Sequence, residues 1–116
     1  MQRSFRLTRS EDFKRVRRDG KSYAHPLVVL IVQNNDQSHV RVGIAAGKSV
    51  GTAVIRNRTK RLLREAIRTL LPDIASNLDL ILIARPALGS ATLPNVQSAL
   101  QNLLQRAKIL NPKHEP

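Results

Sequence analysis

Apolar positions along the chain change between helical and strand periods. Phe13, Val16 and Arg17 share one side by i, i+3, i+4 spacing, which predicts a helix from Ser10 to about Asp19. Ser10 suits the N-cap, Glu11 and Asp12 sit in the first turn where the helix dipole favours acids, and Gly20 stops the helix. The run Leu27-Val28-Val29-Leu30-Ile31-Val32 is continuous and β-branched, as a strand buried on both faces requires. Asn34-Asn35-Asp36-Gln37 marks a turn, and Val40-Arg41-Val42-Gly43-Ile44-Ala45 is expected to return as the partner strand.

Gly47 and Gly51 punctuate a loop into a second helix, which spans roughly Thr52 to Leu70 with Pro72 just past its end. Leu78-Asp79-Leu80-Ile81-Leu82-Ile83-Ala84 is a further strand, ended at Arg85-Pro86 because proline cannot donate to the ladder. Leu93 to about Leu110 forms a last helix, with Val96, Leu100, Leu103, Leu104 and Ala107 as its apolar side. The order is α-β-β-α-β-α, with the first strand segment divisible in two. That pattern predicts an α/β (α+β) protein, a two-layer α-β sandwich with helices on a mixed sheet. Its 116 residues suit a single domain, with a basic, loosely held arm at 1–9 and a tail at 111–116.

The second helix changes the picture most. At about 100° per residue, Ile55, Thr59, Leu62, Ala66 and Leu70 cluster on one side. Arg56, Asn57, Lys60, Arg61, Arg64 and Arg68 cluster on the other, with Arg58 nearer the apolar edge, where a structural ion pair competes evenly with an RNA contact. Lys60/Arg64 and Arg64/Arg68 are like-charge pairs at i, i+4, and only Glu65 relieves them. A self-repelling face is stable in company with an external polyanion. Arginine outnumbers lysine 14 to 6, which suits bidentate contact to phosphate.

Net charge is +12, and it is localised. Residues 1–21 hold eight Lys/Arg against three acids and residues 41–68 hold eight against one, while the remainder balances at four of each. This is the footprint of a nucleic-acid partner rather than of a uniformly solvated coat. There is no cysteine, so disulfides, thiolate zinc sites and a Cys nucleophile are excluded, and a reducing, cytoplasmic location is expected. No apolar run approaches the length of a membrane span, and no membrane partner or small-molecule substrate is expected.

Chemical motifs are weak by contrast. Gly47-Lys48-Ser49 lacks the glycine that a phosphate loop needs at position 42, which is Val. The acids Glu11, Asp12, Asp19, Asp36, Glu65, Asp73, Asp79 and Glu115 do not converge on a two-metal pattern, and His25, His39 and His114 lack metal-ligand spacing. No catalytic or metal-ligating residue is assigned to the protein. Phe5, Phe13 and Tyr23 are the three aromatics, so single-strand stacking is local and short; for Phe13, core packing and a stacking platform stay open together.

The stretch Val42-Gly43-Ile44-Ala45-Ala46-Gly47-Lys48-Ser49-Val50-Gly51-Thr52-Ala53-Val54-Ile55-Arg56-Asn57-Arg58-Thr59-Lys60-Arg61-Leu62-Leu63-Arg64-Glu65-Ala66 resembles the signature of the bacterial ribonuclease P protein family. Leu7-Thr8-Arg9-Ser10-Glu11-Asp12-Phe13-Lys14-Arg15-Val16 followed by Gly20 is similar to the family's opening, and Leu80-Ile81-Leu82-Ile83-Ala84-Arg85 to its late strand. The resemblance implies the small basic subunit of a ribonucleoprotein endonuclease that removes the 5′ leader of precursor tRNA. In that family the RNA subunit hydrolyses the bond with Mg²⁺, which it mainly holds itself, and the protein contacts the leader and stabilises the active RNA. Ribonuclease P RNA and precursor tRNA are the implied partners.

The resemblance also implies a left-handed crossover at the basic helix, akin to a domain of a small-subunit ribosomal protein. It makes Arg56, Asn57, Arg58, Lys60, Arg61 and Arg64 the RNA-binding motif, to which Arg68 and Lys48 are added as flanking cations. Phe13 is the implied aromatic of a leader-binding cleft between the first helix and the sheet, joined by Arg17, Arg9 and Tyr23. Arg17 stands where many members carry a second aromatic, and Lys48-Ser49 replaces a commoner pair of lysines. A general structured-RNA-binding or ribosomal protein without a processing role is the alternative, and a self-sufficient nuclease or a DNA-binding protein lies further off.

Overall fold

The computed structural model describes residues 5–110. Three helices, α1 (Ser10–Asp19), α2 (Ala53–Arg68) and α3 (Leu93–Arg106), flank strands β1 (Lys21–Ala24), β2 (Val28–Asn34), β3 (Arg41–Ala46) and β4 (Leu78–Ala84). The first strand segment is thus divided in two. Arg9 rather than Ser10 is the N-cap residue of α1, and no side chain caps it. Thr52 caps α2 by accepting from the Ile55 amide at 3.3 Å. Gly51 takes φ of 145°, a conformation that side chains disfavour, and so turns the chain into that helix.

The sheet order is β1-β2-β4-β3. The first two neighbours pair antiparallel, whereas β3 and β4 run parallel, so α2 is a crossover connection between adjacent strands. This corrects the expectation that the Val40–Ala45 segment returns beside Leu27–Val32. β4 lies between them. Every β4 residue except Ile83 is buried, so this strand is covered on both faces and takes a central place. β3 carries Gly43, Ala45 and Ala46 and sits at the edge.

Strand alternation sends β2 and β4 side chains to two cores. Leu30, Leu80, Leu82 and Val42 face α2 and α3, where Leu63, Ala66, Ile67, Leu100, Leu103 and Leu104 complete the main core. Fully burying each large apolar side chain there is worth about 1.5–3 kcal/mol. Ile31 and Ile81 face the other way, to Val16, Leu7 and Phe13 beneath α1. The expected sandwich is the sheet with α2 and α3, and α1 lies across part of the opposite face.

Residues 6–7 are not loosely held. Arg6 bridges Val42 in parallel, the Leu7 amide donates to the Val42 carbonyl at 2.9 Å, and Leu7 is buried. The apolar Leu7 side chain pulls the expected arm onto the free edge of β3. The expected tail at 111–116 and the first four residues of the arm lie outside the described residues.

Candidate nucleic-acid interface

Helix α2 presents Asn57, Arg58, Arg61 and Arg68 as exposed residues, with Lys60 and Arg64 half-buried beside them. Glu65 pairs with Arg68, Nη2 to Oε1 at 2.6 Å, and that bond holds the Glu65 carboxyl below the usual carboxylate range. Among the described residues, Lys60, Arg61 and Arg64 join no ion pair. Their charge is unneutralised from within.

Of the expected apolar side of the second helix, Thr59, Ala66 and Leu70 are buried, but Ile55 and Leu62 are only half-buried, and Leu63 and Ile67 fill the inward face instead. Leu63 and Ile67 turn the inward face by roughly 40°. Arg56 consequently moves to the buried margin, where its Nε is covered without a partner, and Arg58 moves out. Arg58 donates through Nη2 to the Gly89 carbonyl. It thereby clasps the Pro86–Ser90 turn to α2 beside a 520 Å³ groove that Arg61 and Leu62 also line. Arg58→Ala is expected to lower stability by about 1 kcal/mol, the net value of one hydrogen bond, and to leave the salt dependence of RNA binding unchanged. Urea midpoints and a salt titration separate the two effects. A slope reduced by about one would instead make Arg58 a phosphate contact.

On the opposite sheet face, side chains form three cross-strand rows. Arg41, Asp79 and Gln33 are one row, Gly43, Ile81 and Ile31 the next, and Ala45, Ile83 and Val29 the third. α1 packs on this face, and all three residues of the last row stay half-buried, an apolar floor beside the helix. Phe13 is both core and border. Its ring packs with Leu7, Val16, Ile31 and Ile81 and stands over Gly43, while it also lines a 250 Å³ recess with Arg6, Val42, Ile44 and Arg64. That recess wraps the edge of β3, so Arg64 of α2 and Phe13 of α1 meet in one place. Arg17 is exposed one turn along α1 from Phe13.

Two other expected cleft residues lie elsewhere. Tyr23 pairs with Leu30 across β1 and β2, so it points to the α3 face and packs on the main core, with the Lys21 Nζ 5.5 Å from its ring. This corrects its assignment to the cleft. Arg9 lines a polar recess of 500 Å³ with Asp12, Arg15, Asn35 and Arg41 at the other end of α1. Lys48 is exposed in the turn before α2, apart from both.

The sequence reading missed Asp79, Arg15 and Arg41. The Asp79 side chain is wholly buried and receives Arg41 through Nε and Nη2, both at 2.9 Å, Asn35 Nδ2 at 2.7 Å, and Arg15 Nη2. A buried carboxylate needs such partners. A lone acid inside the apolar run 78–84 was the available signal. Burial pushes the Asp79 carboxyl up, but hydrogen bonds from Arg41, Asn35 and Arg15 outweigh it, and the net shift is downward. A depressed native value means stability that is present above the unfolded value of about 4 and lost as pH falls through the native one. Urea midpoints should therefore fall from pH 5 to pH 3 (about the carboxylate range) more steeply in the wild type than in Asp79→Asn, whose amide does not titrate. Equal slopes would show that Asp79 does not contribute.

Among the described residues no group of three or more His, Asp or Glu could hold a metal, and no helix is long and apolar enough to cross a membrane.

Comparison with known proteins gives a consistent answer. A family model described as Ribonuclease P matches residues 1–108. The ribonuclease P protein component of Herpetosiphon aurantiacus is 43% identical over 100% of this chain and 94% of its own length. That of Roseiflexus castenholzii is 41% identical, over 95% and 91%. The solved RNase P protein of Staphylococcus aureus superposes with a TM-score of 0.83 at 34% identity, covering 92% of this chain and 98% of that one. For the RNase P protein of Thermotoga maritima the TM-score is 0.79 at 30% identity, over 87% and 96%.

Proposed function

Because this chain belongs to the ribonuclease P protein family, and so is a ribonuclease P subunit, we propose that it binds the catalytic RNA through α2 and the single-stranded 5′ leader of precursor tRNA through the face beside α1. Hydrolysis is then the work of the RNA subunit with its Mg²⁺. The observation that carries this reading is the unneutralised cationic face of Lys60, Arg61 and Arg64, adjoining a half-open apolar floor through Arg64 and Phe13. Phosphates of a folded RNA suit the first surface, and unstacked nucleotides suit the second. The protein's part in this reading is to bind and orient: the α2 cations hold the RNA subunit, and Phe13 with Arg17 borders the leader. The cell compartment that fits this role is the cytoplasm.

Cleavage of precursor tRNA at near-physiological Mg²⁺ tests the reading, with a bacterial ribonuclease P RNA alone, this protein alone, and both together. Efficient cutting at the mature 5′ end by the mixture only is the expected result. Cutting by the protein alone overturns RNA catalysis. No gain over RNA alone, with RNA from several bacteria, reduces the chain to a general RNA binder.

A further inference from the structure

Helix α1 is held to the sheet with little apolar contact. Val16 is its one fully buried residue, and Phe13, Asp12 and Arg15 are half-buried on either side of it. A helix seated on two apolar side chains, Val16 and Phe13, can roll about its axis unless its flanks are tied. The Phe13 flank is held by packing only, its ring on Leu7, Ile31 and Ile81 and over Gly43. The other flank is tied by charge: Arg15 donates to Asp79 and Gln33, and Asp12 lies 3.4 Å from Arg15 and 3.8 Å from Arg41. The carboxylate of Asp79, on the central strand, accepts from donors on α1, on β3 and in the turn at Asn35.

We propose that Asp79 is a positioning residue for leader binding: through Arg15 and Arg41 it sets the roll of α1 on the sheet, and with it the placing of Phe13 over the open row of Val29, Ile83 and Ala45. This inference rests on the proposed leader contact and goes beyond it by naming what holds that site in shape. Asp79 itself is wholly buried, so it acts through the arginines that it holds. Arg15 and Arg41 are largely spent on it, which leaves the cleft to Phe13, Arg17 and the apolar row.

The test uses the reconstituted holoenzyme, full-length chain with ribonuclease P RNA, on two precursors, one with a leader of several nucleotides and one with a single-nucleotide leader. Asp79→Asn is expected to raise KM for the long-leader precursor by about tenfold, the factor for one bond to a charged group, with kcat unchanged and the short-leader KM unmoved. Arg15→Met, which leaves Asp79 with Arg41 and Asn35, should shift the same KM in the same direction, and it carries the test where Asp79→Asn fails to fold. A merely structural role lowers the amount of active holoenzyme and so affects both precursors alike. Equal effects on the two, with a wild type that does prefer the long leader, overturn this inference alone. A wild type indifferent to leader length overturns the leader contact and this inference together.

Discussion

Replacing Lys60, Arg61 and Arg64 together by alanine is expected to weaken binding to ribonuclease P RNA by about 100-fold near physiological salt while changing fold stability by no more than about 1 kcal/mol. The size follows from counterion release. Each phosphate contact adds roughly 0.9 to the slope of log K against log salt, so lowering salt from about 1 M to 0.15 M gains about 0.7 log units per contact, and three contacts give about two. Stability is nearly indifferent for two opposing reasons. The substitutions remove the Lys60/Arg64 like-charge pair and install a strong helix former. They also strip the half-buried stems of Lys60 and Arg64 from the helix surface. Binding measured across a salt series should lose about three units of slope. An unchanged slope would return this face to a solvated coat and move the RNA contact to the cations of α1.

What was legible in the chain was mostly local. The run Leu78–Ala84 reads as a buried strand because every position is apolar but one, and the structure places it centrally. The cationic side of α2 is legible for the same reason, since five Lys/Arg in positions 56–64 leave few places for a core face. Its phase was not, because Leu62 and Leu63 are chemically alike, and only the joint approach of α3 and the sheet selects Leu63. That choice exchanged the roles of Arg56 and Arg58. Strand order was hidden likewise. Two neighbouring strand segments usually pair, and nothing local says that β4 will enter between β2 and β3. Tyr23 shows the sensitivity of faces to register: its pairing with Leu30 sends it to α3, and a slip of one residue would send it to α1. Asp79 was legible in kind but not in partners. A charge in an apolar strand demands cations, yet Arg15 and Arg41 are 64 and 38 residues away in sequence.

Gly43→Val should destabilise the fold by about 2–3 kcal/mol, the upper range for overpacking, and the loss should depend on Phe13. A Cβ at position 43 would lie 2.5 Å from Phe13 Cζ, 2.7 Å from Cε2 and 3.1 Å from the Leu7 carbonyl oxygen. Valine suits a strand better than glycine does, so by local preference the change is favourable by a fraction of a kilocalorie. Contact with the ring reverses the sign. The ring cannot slide toward Leu7, whose carbonyl borders the same space, so α1 must lift or roll, and the packing of Val16 on Ile31 and Ile81 loosens with it. Leader binding should weaken along with stability, since Phe13 leaves the recess at the β3 edge that it shares with Arg64. A double-mutant cycle isolates the cause. In a Phe13→Ala background the ring is gone, Gly43→Val keeps only the looser 3.1 Å approach to the Leu7 carbonyl oxygen, and its cost should fall by at least about 1 kcal/mol, the coupling of residues in direct contact. Additive urea midpoints across the cycle would place the strain in the β3 backbone instead, and α1 would then owe its seat to Val16 and the charges around Asp79 alone.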